Sequence, residues 1–396
     1  MAHPLDPLAL PPVPPPAPTT HPLRDATVAT LFGAALALTG LAALKTPAQT
    51  TLEFENRSIA PWPPLAPSPD FTTDFERAFG DRFGGRTTLF RLHHVALAEL
   101  FGVSPVANVL LGRDDWLYFL GEDAKSLDRH FRGTLATAEA DIVAVTAELR
   151  RRGRFLGSLN IPYVITIVPE KFTIYPEHLP SWAVKSAAPT PLDRLATALL
   201  AEPGLRFVDL RASLRAGKPG AQLYYATDSH WNMLGASVGY AELMREVQRA
   251  IRAGRLPAIA PAALPPYVPG VDVYRGDLAR LIGLPARYRE PDYAPFAKVL
   301  GDPSSRCARR TDAGADAGFE FYACDRPGLP RAVVYRDSMA IPLLPLLSEN
   351  FSRVVYVSSQ QLDPALILRE RPDVVIEEMV ERLLLAPAAS PMRELR

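Results

Sequence analysis

Five short apolar runs limit what this chain can fold into: Tyr163–Val168, Arg206–Leu210, Ala332–Tyr335, Arg353–Val357 and Val374–Ile376. Helical patterns separate most of them, at 191–201, 231–252 and 339–349, and another at 378–386 follows the last. Uninterrupted strands of this kind are buried on both faces, and parallel strands need a helical crossover between them. The expected class is α/β, a central and mainly parallel sheet flanked by helices. In such a fold, ligands bind beyond the carboxyl ends of the strands.

Ahead of the sheet, an amphipathic helical pattern covers 72–101, with Phe75, Phe79, Phe83, Leu89, Leu92 and Leu97 at core spacing. Val109–Phe119 reads as a hairpin, with Gly112 to Asp115 as turn chemistry. Residues 135–152 read as a helix ending in Arg150-Arg151-Arg152, with Gly153 as its cap. The irregular stretch 256–330 reads as an insertion that shapes a groove.

The amino end is not globular. Of 41 prolines, 15 fall in the first 70 positions. Residues 1–24 read as a disordered, proline-rich cytoplasmic tail, in which Pro11 to Pro16 favours polyproline II. Thr27 to Leu44 is 18 residues without a charge, just enough to span a bilayer, which takes about 20 with a range down to roughly 17. Residues 25–45 are therefore expected to form a transmembrane signal-anchor; a cleaved signal peptide is the competing reading. Residues 46–70 would be a proline-rich linker and 71–390 the folded domain. Lys+Arg and Asp+Glu are both 43, and a balanced chain lacks the basic excess of a nucleic-acid binder. Two cysteines, Cys307 and Cys324, bracket a polar loop. A disulfide is one reading outside the cytoplasm, and two separate thiols the other. No zinc-binding spacing occurs, and no metal or cofactor is expected.

Two segments carry chemistry. Asp228-Ser229-His230-Trp231 offers a carboxylate and an imidazole two residues apart, and Tyr335-Arg336-Asp337-Ser338 puts a serine directly after a strand. A serine hydroxyl needs an adjacent base, and the base needs an orienting group. Each segment also has a structural reading. Asp337 or Ser338 would cap one helix and Asp228 or Ser229 the next, all preferred N-cap types.

These segments resemble the acyltransferase branch of the SGNH hydrolase superfamily, in particular the AlgJ/AlgX-type alginate O-acetyltransferase family. The resemblance runs through Glu55-Asn56-Arg57, Asp81 to Arg86, Gly112 to Tyr118, Pro169-Glu170-Lys171, Tyr175 to Pro180, Thr227 to Asn232 and Tyr335 to Ser338. It implies an SGNH hydrolase-like domain preceded by one transmembrane helix, in the inner membrane with its catalytic domain in the periplasm. Ser338 would be the nucleophile, His230 the general base and acid, and Asp228 the orienter. An acetyl-serine would pass its acetyl group to a hydroxyl of an exopolysaccharide, alginate-like or other. The implied partners are the polysaccharide acceptor and a membrane-bound O-acyltransferase that delivers acetyl groups. Arg336, Lys171, Trp231 and Tyr118 are candidates for substrate contact, and the Ser338 N–H for the oxyanion. Arg336 stands where the superfamily carries glycine. The chain ends at Arg396, which leaves no room for the carbohydrate-binding module of AlgX-type members. An acetylesterase using the same residues and an inactive adaptor of a synthesis complex are the alternatives.

Overall fold

The structure is a computed structural model of the chain. It describes residues 22–45, 51–52, 57–66, 68–82, 86–135, 139–202, 204–251, 273–292, 307–310, 319–324 and 328–384. Two compact units divide it, Met1–Phe90 and Arg91–Arg396.

In the first unit a helix spans Pro22–Lys45. Among the described residues no helix is long and apolar enough to cross a membrane; several side chains of the expected 25–45 span lie outside the described set, as does the 1–21 part of the expected tail. Strands β1 (Thr51–Leu52) and β2 (Arg57–Ser58) pair antiparallel. Ala60 is then tied to the helix Phe71–Asp81: its N–H donates to Asp81, and its carbonyl accepts from Arg82. Phe71, Phe75 and Phe79 stack along that helix, with Trp62 against Phe75. The expected core at 72–101 is corrected here. Phe75 and Phe79 are 43% and 52% exposed, and Leu89 and Leu92 are exposed as well. Phe83 lies outside the described residues, and Leu97 is half-buried. The expected helical pattern takes the form of Phe71–Asp81, Arg86–Val95 and a π-helical turn, Ala96–Leu100.

The second unit is the α/β body. The hairpin forms where expected, as β3 (Val109–Leu111) with β4 (Leu117–Phe119); Asp114 and Asp115 take left-handed backbone in its turn. A smaller hairpin joins β7 (Val273–Tyr274) to β8 (Glu290–Pro291). The main sheet has β5 (Tyr163–Val168), β6 (Arg206–Asp209), β9 (Cys307–Arg310), β10 (Phe319–Cys324), β11 (Arg331–Tyr335), β12 (Arg353–Val357) and β13 (Val374–Val380) in the order β6-β5-β13-β11-β12-β10-β9. The five expected strands are its parallel part. β10 and β9 add an antiparallel edge from the stretch read as irregular. Alternation along the strands fills two cores. Val164, Val168 and Val334 face one, Ile165, Ile167 and Val333 the other. Cys307 and Cys324 are direct register partners on β9 and β10.

Two boundaries differ from expectation. The helix Glu139–Ser158 runs straight through Gly153. A Cβ there would come within 2.5 Å of Leu205, so this glycine permits close packing and caps nothing. Arg152, expected in a basic cluster at a helix carboxyl end, is buried in mid-helix and paired with Glu377 at 2.6 Å. The helix expected at 378–386 is instead the second half of β13, followed by a short 3-10 turn at Glu381–Leu383.

Candidate active site

Ser338 follows β11 directly, at the carboxyl edge of the sheet. Asp337 caps the 3-10 turn Ser338–Leu343: its Oδ1 accepts from the Met339 N–H at 2.8 Å and its Oδ2 from the Val380 N–H at 2.7 Å. With Asp337 committed to capping, the Ser338 hydroxyl is left exposed and available. The other segment divides its labour in the same way. Asn232, not Asp228 or Ser229, caps the helix Met233–Ala250. The preceding loop is thus free to aim Asp228 and His230 elsewhere.

The two loops meet. His230 Nε2 lies 2.9 Å from Ser338 Oγ, and His230 Nδ1 lies 2.7 Å from Asp228 Oδ1. The Trp231 indole N–H donates to the Met339 carbonyl at 2.7 Å, so the residue after His230 is bolted to the residue after Ser338. Burial pushes the His230 imidazole down, yet the hydrogen bond and charge of Asp228, joined by Asp277, outweigh it and hold the ring above its ordinary value. Asp228 is held far below the usual carboxylate range: burial opposes this, but His230, Tyr274 and the Asp277 N–H win.

Several supporting residues come from the stretch read only as a groove-shaping insertion. The Tyr274 hydroxyl and the Asp277 N–H both donate to Asp228 Oδ2, at 2.7 and 2.8 Å. Asp277 in turn accepts from the Ser229 N–H and hydroxyl. Tyr274 pairs across the small hairpin with Glu290. Glu290 accepts from the Ala226 and Thr227 N–H groups and the Thr227 hydroxyl. One cross-strand pair therefore holds three consecutive residues, Ala226, Thr227 and Asp228. The approach needs Gly276, where a Cβ would sit 2.0 Å from the Thr227 carbonyl. Asp228, His230 and Asp277 also bring their ligand-type atoms within 4.8 Å of one another. Those atoms are already committed to the hydrogen bonds just described.

Three of the four residues expected to touch substrate are buried in the structure. Lys171 donates to the carbonyls of Tyr225, Ala226 and Asp228 at 2.7 to 2.9 Å and lies over the rings of Trp116 and Tyr118. Burial lowers its ammonium to about 8. It pins the loop that carries Asp228 and is no solvated side chain. Trp231 is wholly enclosed, and Tyr118 is fixed by its hydroxyl on the Tyr175 carbonyl. Neither ring can stack on a sugar. Trp116 is core, layered on His178 and Tyr175. Only Arg336 keeps partial exposure. Its guanidinium donates weakly to the Asp337 carbonyl, and its charge acts on the buried Glu378 beneath the turn.

Comparison with known proteins gives a family. The family described as "SGNH hydrolase-like domain, acetyltransferase AlgX" matches residues 109–312, a stretch that holds Asp228, His230, Tyr274 and Asp277 and stops before Ser338. The probable alginate O-acetylase AlgJ of Pseudomonas syringae pv. tomato is 30% identical over 220 residues, 55% of this chain and 50% of that one. Its counterpart from Azotobacter vinelandii is 26% identical over 249 residues, 63% and 59% of the two chains. The chain thus spans about half the length of these curated relatives. Among solved structures, the O-acetyltransferase domain of Pseudomonas putida AlgJ is 21% identical with a TM-score of 0.43, covering 71% of this chain and 93% of that one. Matched over just over half of its length, through the loop that carries Asp228 and His230, the chain belongs to the AlgX family of SGNH hydrolase-like acetyltransferases.

Proposed function

We propose that this protein transfers acetyl groups onto hydroxyls of an exopolysaccharide outside the cytoplasm, through an acetyl-serine at Ser338. The observation that carries the proposal is the 2.9 Å contact between His230 Nε2 and Ser338 Oγ, backed by Asp228. His230 takes the hydroxyl proton as Ser338 Oγ bonds to the acetyl carbon of a donor. The tetrahedral oxyanion is received by the Ser338 N–H at the start of its turn. Collapse expels the donor's leaving group, which takes the proton from His230. A sugar hydroxyl then attacks the acetyl-serine, loses its proton to His230, and departs acetylated as that proton returns to Ser338. Asp228 keeps the imidazole in the required tautomer and stabilises its cation.

The rest of the proposal follows from family membership and the sequence. Residues 25–45 anchor the chain in the inner membrane, with the α/β body in the periplasm. Helix Pro22–Lys45 is 24 residues long, and Val28, Leu31, Phe32 and Leu38 on it are exposed; at 1.5 Å per residue it is about 36 Å long. A membrane-bound O-acyltransferase supplies the acetyl group. Cys307 and Cys324 form a disulfide: directly opposed residues of an antiparallel pair have Cα atoms about 4.5 to 5.5 Å apart, within the range that a bridge needs. An esterase differs only in using water as acceptor.

The test compares the protein with its Ser338→Ala variant on a chromogenic acetyl ester, with and without oligosaccharide acceptors, products being followed by mass spectrometry. Acetylated sugar should form, and the variant should lose about a thousandfold or more. Ser338-dependent release of acetate alone would replace the transferase by the esterase. Equal rates in two folded proteins would leave the adaptor.

A further inference from the structure

Lys171 carries a charge that the chemistry at Ser338 does not use. It is 2% exposed, yet its Nζ meets no carboxylate at ion-pairing distance among the described residues. Buried charges are ordinarily paired, so the ammonium must be held there by something else. An ammonium has three N–H donors and no acceptor, and three carbonyls receive them, those of Tyr225, Ala226 and Asp228 at 2.9, 2.9 and 2.7 Å. The rings of Trp116 and Tyr118, centred 5.6 and 5.3 Å from Nζ, favour a cation as well. A neutral amine has only two donors and a lone pair. On losing its proton, Lys171 would leave one carbonyl unserved and facing that lone pair.

The three carbonyls belong to the segment that ends in the orienter of His230. Asp228 is held through its carbonyl by Lys171 while its carboxylate turns to His230. The residue before Lys171 is tied to the nucleophile's side. The Glu170 N–H donates to Glu381 at 2.8 Å, and Glu170 Oε1 accepts from Arg382 at 2.7 Å. Just before them, the Val380 N–H holds Asp337 beside Ser338. Three consecutive residues, Val380, Glu381 and Arg382, thus grip both Asp337 and Glu170, and Lys171 completes the connection to Asp228.

We propose that Lys171 is a positioning residue: its ammonium, by holding three carbonyls at once, fixes Asp228 and His230 against Ser338, and the site reaches full rate only while that ammonium keeps its proton. The inference rests on the acetyl-serine reading of Ser338. Burial pulls the Lys171 ammonium down to about 8, against the opposing pull of Glu290 on β8, of Asp228, of Asp277 on the helix Asp277–Leu281, and of Glu170. Glu381 and Arg382 meet Glu170 from the turn after β13, and burial keeps the Tyr118 hydroxyl on β4 protonated. Activity should therefore fall as pH rises through about 8. Stability should move the other way. An unfolded lysine keeps its proton to about 10.5, so between these values the unfolded chain binds more protons, and this group's contribution to stability rises with pH.

The test follows kcat and KM of the full chain on a chromogenic acetyl ester from neutral to alkaline pH, beside Lys171→Met and Lys171→Arg. Lys171→Met should lower kcat about tenfold or more at neutral pH, with KM little changed and the alkaline fall abolished. Lys171→Arg keeps a charge at every pH used, so it should retain more rate than Lys171→Met and hold it to higher pH. Lys171→Met decides the matter if Lys171→Arg fails to fold. If neither folds, the unaltered protein decides alone: rate falling across about pH 8 while stability in denaturant rises supports the proposal, and a rate that is flat there, or a stability that falls with it, overturns it. A full rate in folded Lys171→Met, an alkaline fall that this variant retains, or a raised KM at unchanged kcat would also overturn it. Magnetic resonance of the His230 ring separates this idea from the reaction. The Nδ1–H proton shared with Asp228 should shift in Lys171→Met even if the rate proves independent of Ser338. A resonance that stays in place removes the positioning role, whatever the reaction.

Discussion

His230 answers to two carboxylates. Asp228 touches Nδ1, and Asp277 Oδ2 stands 3.6 Å from the same nitrogen. A base must be neutral to accept the serine proton, so activity rises with pH through the histidine's own titration. Because both acids hold that titration high against the effect of burial, Asp277→Asn should shift the acid limb of the kcat/KM profile to lower pH while keeping a Ser338-dependent rate. A profile that does not move would confine Asp277 to its bonds with Ser229. At this scale the residues that meet, Ser338, His230 and Asp228, were legible, since a serine after a strand and an Asp-x-His before a helix are local patterns. Tyr274, Asp277 and Glu290 were not. Their roles depend on a close approach that Gly276 permits, and nothing in the surrounding irregular sequence marks which tyrosine or acid makes it.

Elements show where local reading gave way to tertiary context. Glu377 and Glu378 made the end of β13 look helical, because two acids side by side rarely occupy a central strand. They are tolerated because each has a partner from elsewhere: Glu377 takes Arg152 and the Tyr163 hydroxyl, and Glu378 accepts the Asp337 N–H. Arg152 lies inside the helix Glu139–Ser158, one residue before Gly153, and meets Glu377 from there. Arg152 and Glu377 are almost wholly buried, at 1% and 0% side-chain exposure. Removing one partner strands a charge, at a cost of about 3–5 kcal/mol. Arg152→Met should lower unfolding free energy by that amount in denaturant titrations, and Arg152→Met/Glu377→Gln should recover part of it. Equal losses in both variants would mean the carboxylate was never the problem. The parallel strands were legible because burial on both faces writes itself as uninterrupted apolar sequence. The antiparallel edge, β9 and β10, lay inside the stretch read as irregular, where only β10 carries an apolar run.

On the scale of the whole molecule, the amino-terminal helix and the α/β body pose separate questions. If residues 25–45 span a bilayer, the full chain should sediment with membranes and resist alkaline carbonate, while a chain begun at residue 46 should be released. Extraction of the full chain by carbonate would remove the anchor and leave the chemistry at Ser338 untouched. The division at 1–90 and 91–396 leaves Asp228, His230 and Ser338, which are hydrogen-bonded to one another, within a single unit.

β13 sits between β5 and β11 at the middle of the sheet, yet it is the last strand in the described chain, and its partner Tyr163 stands 212 positions before Val375. Synthesis runs in the other direction. A chain emerging from the ribosome or a translocon lacks the centre of its sheet until residues near 380 are free, so β5 and β11 must wait with exposed edges. Such long-range pairing makes for slow folding. It also means that the Val380 N–H, which holds Asp337 beside Ser338, is among the last parts of the site to be supplied.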